Sequence, residues 1–197
     1  MKTLLAISSS PRLNGNSDLL MDSFIRGAEE EGWKVNRIRA NNLKINCCQA
    51  CDHCSVDGEC IQKDEMQDVY PQIASADAIV LAAPIFFGSM AAQLKIFIDR
   101  FQCWWHAKYN LNTPKVNLEE GRPGFFICVG ALKTESYCKS ALAIARVFFH
   151  NINFKYKDSF FFRGVDKKGE IKEHPEALQG AYEAGRKFVR EAAEKNS

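Results

Sequence analysis

The sequence predicts an α/β fold in which a parallel sheet of five strands carries helices on both faces. Short segments rich in strand-forming residues alternate with longer segments whose apolar residues recur every three or four positions. Residues 78–83, A-I-V-L-A-A, are apolar throughout, as expected for a central strand covered on both faces. The length of 197 residues suits one domain over 1–197, and 46% hydrophobic and 25% charged residues are typical of a globular protein.

The strand segments are short apolar runs bounded by polar residues or by proline. In chain order they are residues 2–8, 34–39, 78–83, 123–129 and 154–162. Five parallel strands joined by right-handed crossovers favour a flavodoxin-like three-layer sandwich with strand order 2-1-3-4-5. A ligand of such a sheet binds at the carboxyl ends of the strands, near the point where the strand order reverses.

The helical segments each have one apolar face. In chain order they are residues 17–31, 64–75, 91–101, 135–149 and 175–194. The side chains expected to face inward are Leu20, Phe24, Ala28, Met66, Val69, Tyr70, Ile73, Leu94, Phe97, Ile98, Phe101, Tyr137, Ala141, Ala145, Phe148, Leu178, Tyr182, Gly185 and Val189. Residues 103–121 are expected to form a loop that carries Trp104, Trp105 and Tyr109.

Charge and hydropathy exclude several classes of function. The 26 basic and 24 acidic residues give a net charge of +2, which does not support a nucleic-acid-binding surface. The apolar run 4–7 is too short for a signal peptide, and no stretch approaches the ~20 apolar residues that span a bilayer. We therefore expect a cytoplasmic protein without membrane contact, in which cysteines bind metal or act in redox chemistry rather than form disulfides.

The loop after the first strand has the composition of a phosphate site. Residues 8–17, S-S-S-P-R-L-N-G-N-S, combine small hydroxyl side chains with Arg12 and end where a helix begins. The free N–H groups of that helix and the guanidinium favour an anion. A plain helix cap is the alternative, in which Ser17 or Asn16 caps the helix and Arg12 is solvated. Composition and position together favour the phosphate.

The loop after the third strand, residues 83–90, could bind a flat aromatic ligand. Its proline stiffens the chain and its glycine allows close approach of the backbone. The candidate contacts are Pro84, Ile85, Phe86, Phe87, Gly88 and Ser89, with Gly130 contributed by the loop after the fourth strand. An ordinary turn with core phenylalanines is an equally good interpretation of this loop alone.

These two loops resemble the flavodoxin-like NADPH-dependent FMN reductases. The first is similar to the pattern G-S-P-R-x-x-G-N-[ST], with Ser9 in place of the first glycine. Residues 76–100 resemble the family pattern that ends in L-K-x-F-[IL]-D-R, with Phe86 in place of a frequent tyrosine. The resemblance implies that FMN is bound and that Ser10, Arg12, Asn16 and Ser17 hold its phosphate. Ser8, at the end of the first strand, is a further candidate contact to the cofactor. It also implies a homodimer or homotetramer.

A cysteine-rich insertion at about 41–63 separates the second and third strands. Its spacing, C-x2-C-x2-C-x5-C, suits an iron–sulfur cluster, and Asp57-Gly58 supplies a turn that returns Cys60 to the others. Zinc bound by four thiolates, a redox-active thiol pair and idle reduced thiols are the alternatives. Cys103, Cys128 and Cys138 are isolated in the sequence and are expected to be small buried side chains.

The same insertion resembles that of the iron–sulfur flavoproteins, a branch of the FMN reductase family. This resemblance implies that Cys48, Cys51, Cys54 and Cys60 hold a [4Fe–4S] cluster, with Cys47 as an adjacent spare. The predicted protein is an FMN-dependent oxidoreductase that relays electrons between cluster and flavin, with NAD(P)H or ferredoxin as donor. No separate dinucleotide motif is present, so NAD(P)H would bind transiently over the flavin. The alternatives are a cluster-free NAD(P)H-dependent FMN or quinone reductase, and a zinc-stabilised binding module without turnover.

Overall fold

A computed structural model describes residues 1–194 and contains the predicted parallel sheet. The parallel strands run in the order β2-β1-β3-β5-β6, and β4 pairs antiparallel with β3. With the two-residue β4 set aside, this is the predicted flavodoxin-like order. The strands are β1 (Thr3–Ser8), β2 (Lys34–Arg39), β3 (Ala78–Phe86), β4 (Ser89–Met90), β5 (Pro123–Gly130) and β6 (Lys155–Arg163).

Helices follow the strands and cover both faces of the sheet. They are α1 (Asn16–Glu30), α2 (Cys54–Asp57), α3 (Met66–Ser75), α4 (Ala92–Asp99), α5 (Gln102–Tyr109), α6 (Ser136–Asn151) and α7 (Pro175–Glu194). Short 3-10 helices occupy Ala40–Asn42, Leu118–Glu120 and Glu170–Glu173. Among residues 1–194, no helix has both the length and the apolar character needed to cross a bilayer.

The sheet separates two hydrophobic cores because alternate strand residues point to opposite faces. Leu4, Ala6 and Val80 pack under α1 and α7, and Leu5, Ile7 and Leu81 pack under α3 to α6. β3 is fully buried from Ala78 to Ala83, as its uniform apolar sequence predicts. The three-layer arrangement therefore follows directly from the alternation of side chains on the central strands.

The third strand is longer than its sequence predicts. β3 continues through Phe86 because Ala83 and Pro84 pair in register with Cys128 and Val129 of β5. The chain then reverses at 87–88, and Ser89 pairs with Phe86. The expected loop at 83–90 is therefore reduced to a tight two-residue turn that extends the sheet at its carboxyl end.

The prediction of a loop at 103–121 was wrong for its first part, which forms α5. Trp104 is buried there, with its ring 5.1 Å from Phe101 and 6.1 Å from Tyr70. This aromatic cluster gives α5 a buried side that its weak helical periodicity does not reveal. The helix predicted at 91–101 ends earlier, at Asp99, and α5 begins separately at Gln102.

The prediction that a side chain faces inward is also wrong at some positions. Tyr137 is 39% exposed and Tyr182 is only half-buried, whereas Leu178, also half-buried, still packs against the core. The buried face of α7 is formed by Ala177, Ala181, Gly185, Phe188 and Val189. In the first half of the helix this face lies one residue before the predicted one. The small residues face inward there because α7 packs closely against α1, which leaves no room for larger side chains.

Candidate functional site

The loop between β1 and α1 is fixed by hydrogen bonds to its own backbone and to β3. The backbone N–H and Oγ of Ser9 both donate to the carbonyl of Ala82, each at 3.0 Å. Ser10 Oγ accepts from the Arg12 N–H at 3.1 Å and donates to the Arg12 carbonyl at 3.0 Å. Ser9, which replaces the glycine of the family pattern, is therefore accommodated by bonding its hydroxyl to the sheet.

The first turn of α1 has no side-chain cap. Its N-cap residue is Gly15, in an extended conformation, and no side chain accepts from the first N–H groups. The alternative interpretation, in which Ser17 or Asn16 caps the helix, is therefore wrong. Uncapped N–H groups at the start of a 15-residue helix favour a bound anion.

A cavity lies against this helix start, and we call it the phosphate cavity. Ser17 is only 1% exposed, and its Oγ has no hydrogen-bond partner; the Oγ of Ser8 is equally buried and unpartnered. A buried hydroxyl without a partner costs about 1–3 kcal/mol, so a ligand oxygen at Ser17 would be favoured. The cavity is lined by Ser10, Arg12, Gly15, Asn16, Ser17, Pro84, Ile85, Phe86, Val129, Gly130, Ala131, Val165, Asp166 and Lys168.

Asn16 and Arg12 also hold a segment that sequence reasoning missed. The Asn16 amide donates to the Lys167 carbonyl at 3.0 Å and accepts from the Ile171 N–H at 3.2 Å. Arg12 Nη1 donates to the Asp166 carbonyl at 3.0 Å. The segment 165–168 thereby forms one wall of the phosphate cavity and brings Lys168 to it. Two adjacent lysines, Lys167 and Lys168, after the fifth predicted strand were the available signal.

A second cavity of about 320 Å³, the ring pocket, adjoins the first. It shares Ile85, Gly130 and Ala131 with the phosphate cavity, so the two lie side by side along the carboxyl ends of β3 and β5. Phe87 stands fully exposed at its edge, whereas Phe86 lines the phosphate cavity and Ser89 pairs in β4. The ring pocket is lined by Ile85, Phe87, Gly88, Gly130, Ala131, Leu132, Thr134, Tyr137 and Cys138.

The turn at Phe87-Gly88 is held against the start of α6. Phe87 and Gly88 both have left-handed backbone conformations, with φ of 49° and 77°. A Cβ at Gly88 would lie 2.9 Å from Cδ1 of Tyr137, and Ser140 Oγ donates to the Gly88 carbonyl. The glycine is therefore required both by the turn and by the ring of Tyr137.

Four of the five cysteines of the insertion line one cavity, which we call the cysteine cavity. Cys48, Cys51, Cys54 and Cys60 line it together with Arg100 and Cys103, whereas Cys47 does not. The tight winding of this segment shows in left-handed backbone conformations at three places. They are Ala50, Asp52 and Gly58, and Gly58 ends α2. Within residues 1–194, no three side chains of the His, Cys, Asp and Glu types lie close enough to hold one metal ion.

Arg100 is the buried centre of this region and was missed as a site residue. Its guanidinium donates to the Asn46 carbonyl at 3.0 Å and to Cys60 Sγ at 3.4 Å, and pairs with the Asp64 carboxylate. Burial opposes its charge, but the bonds to Asp64 and Cys60 outweigh burial and raise the pKa of Arg100. Its Nε is buried without a partner. Arg100 thus presents positive charge and N–H groups toward the thiols.

The two ends of the cysteine segment are joined to each other. The Asn46 N–H donates to Asp64 Oδ2 at 3.1 Å, and the Lys44 N–H donates to Glu65 Oε2 at 2.7 Å. Within the segment, Gln62 Nε2 donates to the Cys47 carbonyl at 3.1 Å, and Gln67 Nε2 donates to the Gln62 carbonyl at 2.9 Å. Side chains rather than a backbone ladder therefore determine its shape.

The thiols of this segment influence one another. Burial raises the pKa of the Cys54 thiol, and the charges of Cys60, Cys48 and Cys51 act in the same direction. Among the described residues, none lines both the cysteine cavity and either of the other two cavities.

The other three cysteines are buried, as predicted, but two of them are not isolated. Cys128 of β5 and Cys138 of α6 lie in contact, with their Sγ atoms 3.2 Å apart. Cys103 Sγ donates to the Arg100 carbonyl at 3.3 Å. Separation by ten positions in the sequence hid the Cys128–Cys138 contact, which depends on how α6 packs over β5.

The chain is similar in sequence to one family of known proteins. The sequence model of the NADPH-dependent FMN reductase family matches residues 2–153. An iron-sulfur flavoprotein of Archaeoglobus fulgidus is 34% identical over 102 residues, which are 52% of this chain and 46% of that protein. The iron-sulfur flavoprotein MJ0731 of Methanocaldococcus jannaschii is 34% identical over 128 residues, 64% of this chain and 61% of that protein. This chain spans about half the length of several of the curated relatives that it matches.

Solved structures show the same fold at low sequence identity. An NAD(P)H:quinone oxidoreductase from Methanothermobacter marburgensis superposes with a TM-score of 0.70 at 18% identity, covering 94% of this chain and 95% of the other. A flavone reductase superposes with a TM-score of 0.75 at 20% identity, covering 98% of this chain and 64% of the other. These likenesses support the flavodoxin-like architecture.

Proposed function

This chain belongs to the NADPH-dependent FMN reductase family, and we propose that it is an FMN-dependent oxidoreductase that relays electrons between a [4Fe–4S] cluster and FMN. The proposal assigns the phosphate cavity and the ring pocket to FMN and the cysteine cavity to the cluster. We expect the working unit to be a homodimer or homotetramer, with NAD(P)H or ferredoxin as electron donor.

The observation that carries the FMN assignment is the buried, unpartnered hydroxyl of Ser17 at the uncapped start of α1. A phosphate there would accept from Ser17, from the free N–H groups of the helix and from the Arg12 guanidinium. The isoalloxazine ring would lie in the adjoining pocket, beside the backbone of Gly88 and Gly130. When bound, FMN supplies transfer of a hydride or of single electrons.

The residues of the ring pocket would orient the flavin and leave one face accessible. Gly88, fixed by Tyr137 and Ser140, would bring backbone groups close to the ring edge. Phe87 is fully exposed at the pocket mouth, so its ring is free to cover a flat ligand. NAD(P)H would approach transiently from this open side, since the sequence has no separate dinucleotide motif.

The cluster assignment is supported by the shared cavity of four thiols and by Arg100. Cys48, Cys51, Cys54 and Cys60 would be the ligands, and the Arg100 N–H groups would bond to the sulfur of Cys60. Hydrogen bonds to cluster sulfurs raise the reduction potential, and a neighbouring positive charge acts in the same direction. The names of several relatives, iron-sulfur flavoproteins, agree with this assignment.

Purification without air followed by assays of flavin, iron and acid-labile sulfide tests both assignments. We expect one FMN and about four iron and four sulfide per chain, as a [4Fe–4S] cluster requires. Flavin with neither iron nor sulfide would reject the cluster and leave a cluster-free NAD(P)H-dependent FMN or quinone reductase. A colourless protein with stoichiometric zinc would reject both assignments in favour of a binding module.

A further inference from the structure

Two buried thiols lie in contact beside the ring pocket. Cys128 is on β5 and Cys138 is in the first turn of α6, and their Sγ atoms are 3.2 Å apart. Both side chains are almost completely buried, at 0% and 2% exposure. Cys128 donates to Cys138 in this contact. The pair belongs neither to the cysteine cavity nor to the phosphate cavity.

The two thiols have different surroundings. Cys138 lines the ring pocket, whereas Cys128 is enclosed in the core under α6. Residues 131–137, which connect β5 to Cys138, are all exposed and contribute no core side chain. A disulfide needs an S–S separation of about 2.05 Å, so the sulfurs must approach by about 1 Å. A small shift of the first turn of α6 can provide that approach.

Their acidities differ in the direction that favours reaction at Cys138. The hydrogen bond from Cys128 lowers the pKa of the Cys138 thiol, and the nearby Arg163 acts in the same direction. The same contact and burial raise the pKa of Cys128. Cys138 is thus the more readily ionised sulfur, and it is also the one that faces the pocket.

We propose that Cys128 and Cys138 form a redox-active dithiol that exchanges two electrons with the flavin of the ring pocket. This inference rests on the proposed function for its electron acceptor. In the forward direction both S–H bonds break and one S–S bond forms. Two electrons and one proton pass to the oxidised flavin, and the second proton leaves to solvent. The reverse reaction cleaves the disulfide at the expense of reduced flavin.

The disulfide itself is tested without reference to flavin. The purified chain is equilibrated in buffers of reduced and oxidised glutathione, alkylated, and digested with trypsin for mass spectrometry. Cleavage after Lys133 places Cys128 in peptide 116–133 and Cys138 in peptide 134–139, so their bond appears as one cross-linked pair. We expect this pair in the wild type, with a reversible midpoint, and its loss in Cys128→Ala and Cys138→Ala.

A buried-cysteine control and a conservative variant complete this experiment. Cys103→Ala removes a buried thiol that bonds a carbonyl instead of another thiol, and it should keep the cross-linked pair. Cys138→Ser serves where the alanine variant does not fold. The disulfide is rejected when both peptides remain alkylated, and therefore reduced, in the most oxidising buffer.

Coupling to flavin is tested by anaerobic reductive titration of the oxidised, flavin-loaded protein. We expect the wild type to take up two more electrons per chain than Cys138→Ala before the flavin is fully reduced. Equal electron counts, with the disulfide demonstrated by peptide mapping, would overturn the exchange with flavin. A preparation that binds no flavin would instead reject the proposed function and the coupling, while peptide mapping would still decide the disulfide.

Discussion

The phosphate cavity and the ring pocket are built differently from the cysteine cavity. The phosphate cavity and the ring pocket lie at the carboxyl ends of β1, β3 and β5, whose backbones are fixed by a continuous parallel ladder. The cysteine segment has no such ladder and is held by side chains, above all Arg100, Asp64, Gln62 and Gln67. The first two cavities are therefore preformed by the fold, whereas the shape of the cysteine cavity depends on a few polar contacts.

Removing one proposed cluster ligand should have the largest effect, and it should affect the cysteine cavity but not FMN binding. We expect Cys54→Ala to lose essentially all iron and sulfide, because four thiolates are needed to complete the cluster, while FMN is retained. The measurement is iron, sulfide and flavin per chain after anaerobic purification. Cys47→Ala is the matched control, since Cys47 lies in the same segment but does not line the cysteine cavity, and it should retain iron. Equal iron in both variants would contradict the assigned ligands.

The dependence of the cysteine segment on Arg100 gives the next largest effect. Arg100→Met should lower the free energy of unfolding by about 3–5 kcal/mol, because it leaves the nearly buried Asp64 carboxylate unpaired. Urea denaturation checks the stability, and iron content checks the cluster. Lys95→Met is the control, since its ion pair with Asp99 is half-exposed and should contribute at most about 1 kcal/mol. Similar losses of unfolding free energy in the two variants would show that Arg100 does not hold the cysteine segment together.

Changing Gly88 tests whether the ring pocket is rigid. Gly88→Ala combines about 1–2 kcal/mol of left-handed backbone strain with a clash against Tyr137, and should weaken FMN binding at least tenfold. Fluorescence titration of flavin-free protein with FMN provides the affinity. Gly32→Ala has nearly the same φ, 78° against 77°, with open space around it. It should share the strain but keep the affinity; equal affinities would show that the turn does not contact the ligand.

The smallest effect is expected at Ser17. Ser17→Ala should weaken FMN binding about tenfold, since one hydrogen bond to a charged phosphate contributes about 1.5 kcal/mol at the lower end of the usual range. It should leave the stability of the flavin-free protein unchanged or slightly higher, because the hydroxyl has no partner there. Ser23→Ala, equally buried on the same helix but bonded to Arg26, is the control. Weaker binding in both variants would mean that the helix, rather than its hydroxyl, was disturbed.

The same contrast explains what the sequence could predict. β2 occurs at its predicted bounds, and the sheet order was correct, because both depend on local apolar patterns and on general chain topology. The phosphate-cavity residues Ser10, Arg12, Asn16 and Ser17 come together because they belong to one short loop. Features set by neighbouring residues along the chain were therefore accessible from the sequence.

Features that depend on packing between distant segments could not be predicted from the sequence. Arg100 reaches Cys60 across 40 positions, and the 165–168 wall reaches the phosphate cavity across about 150 positions. The extension of β3 depends on its pairing with β5, and the burial of Trp104 depends on Tyr70. These contacts cannot be predicted from a local pattern, because the residues next to each partner in the sequence give no sign of the distant residue that it will touch.

The hydrogen bond between Asn46 and Asp64 bears on whether the cysteine segment could be removed from the fold. Because the N–H of one end binds the carboxylate of the other, the intervening chain leaves and re-enters the fold at nearly the same point. A short turn could join these ends without altering the path of β2 or α3. The segment could therefore be excised from this scaffold only together with a replacement of Arg100, whose buried guanidinium bonds to Asn46, Cys60 and Asp64.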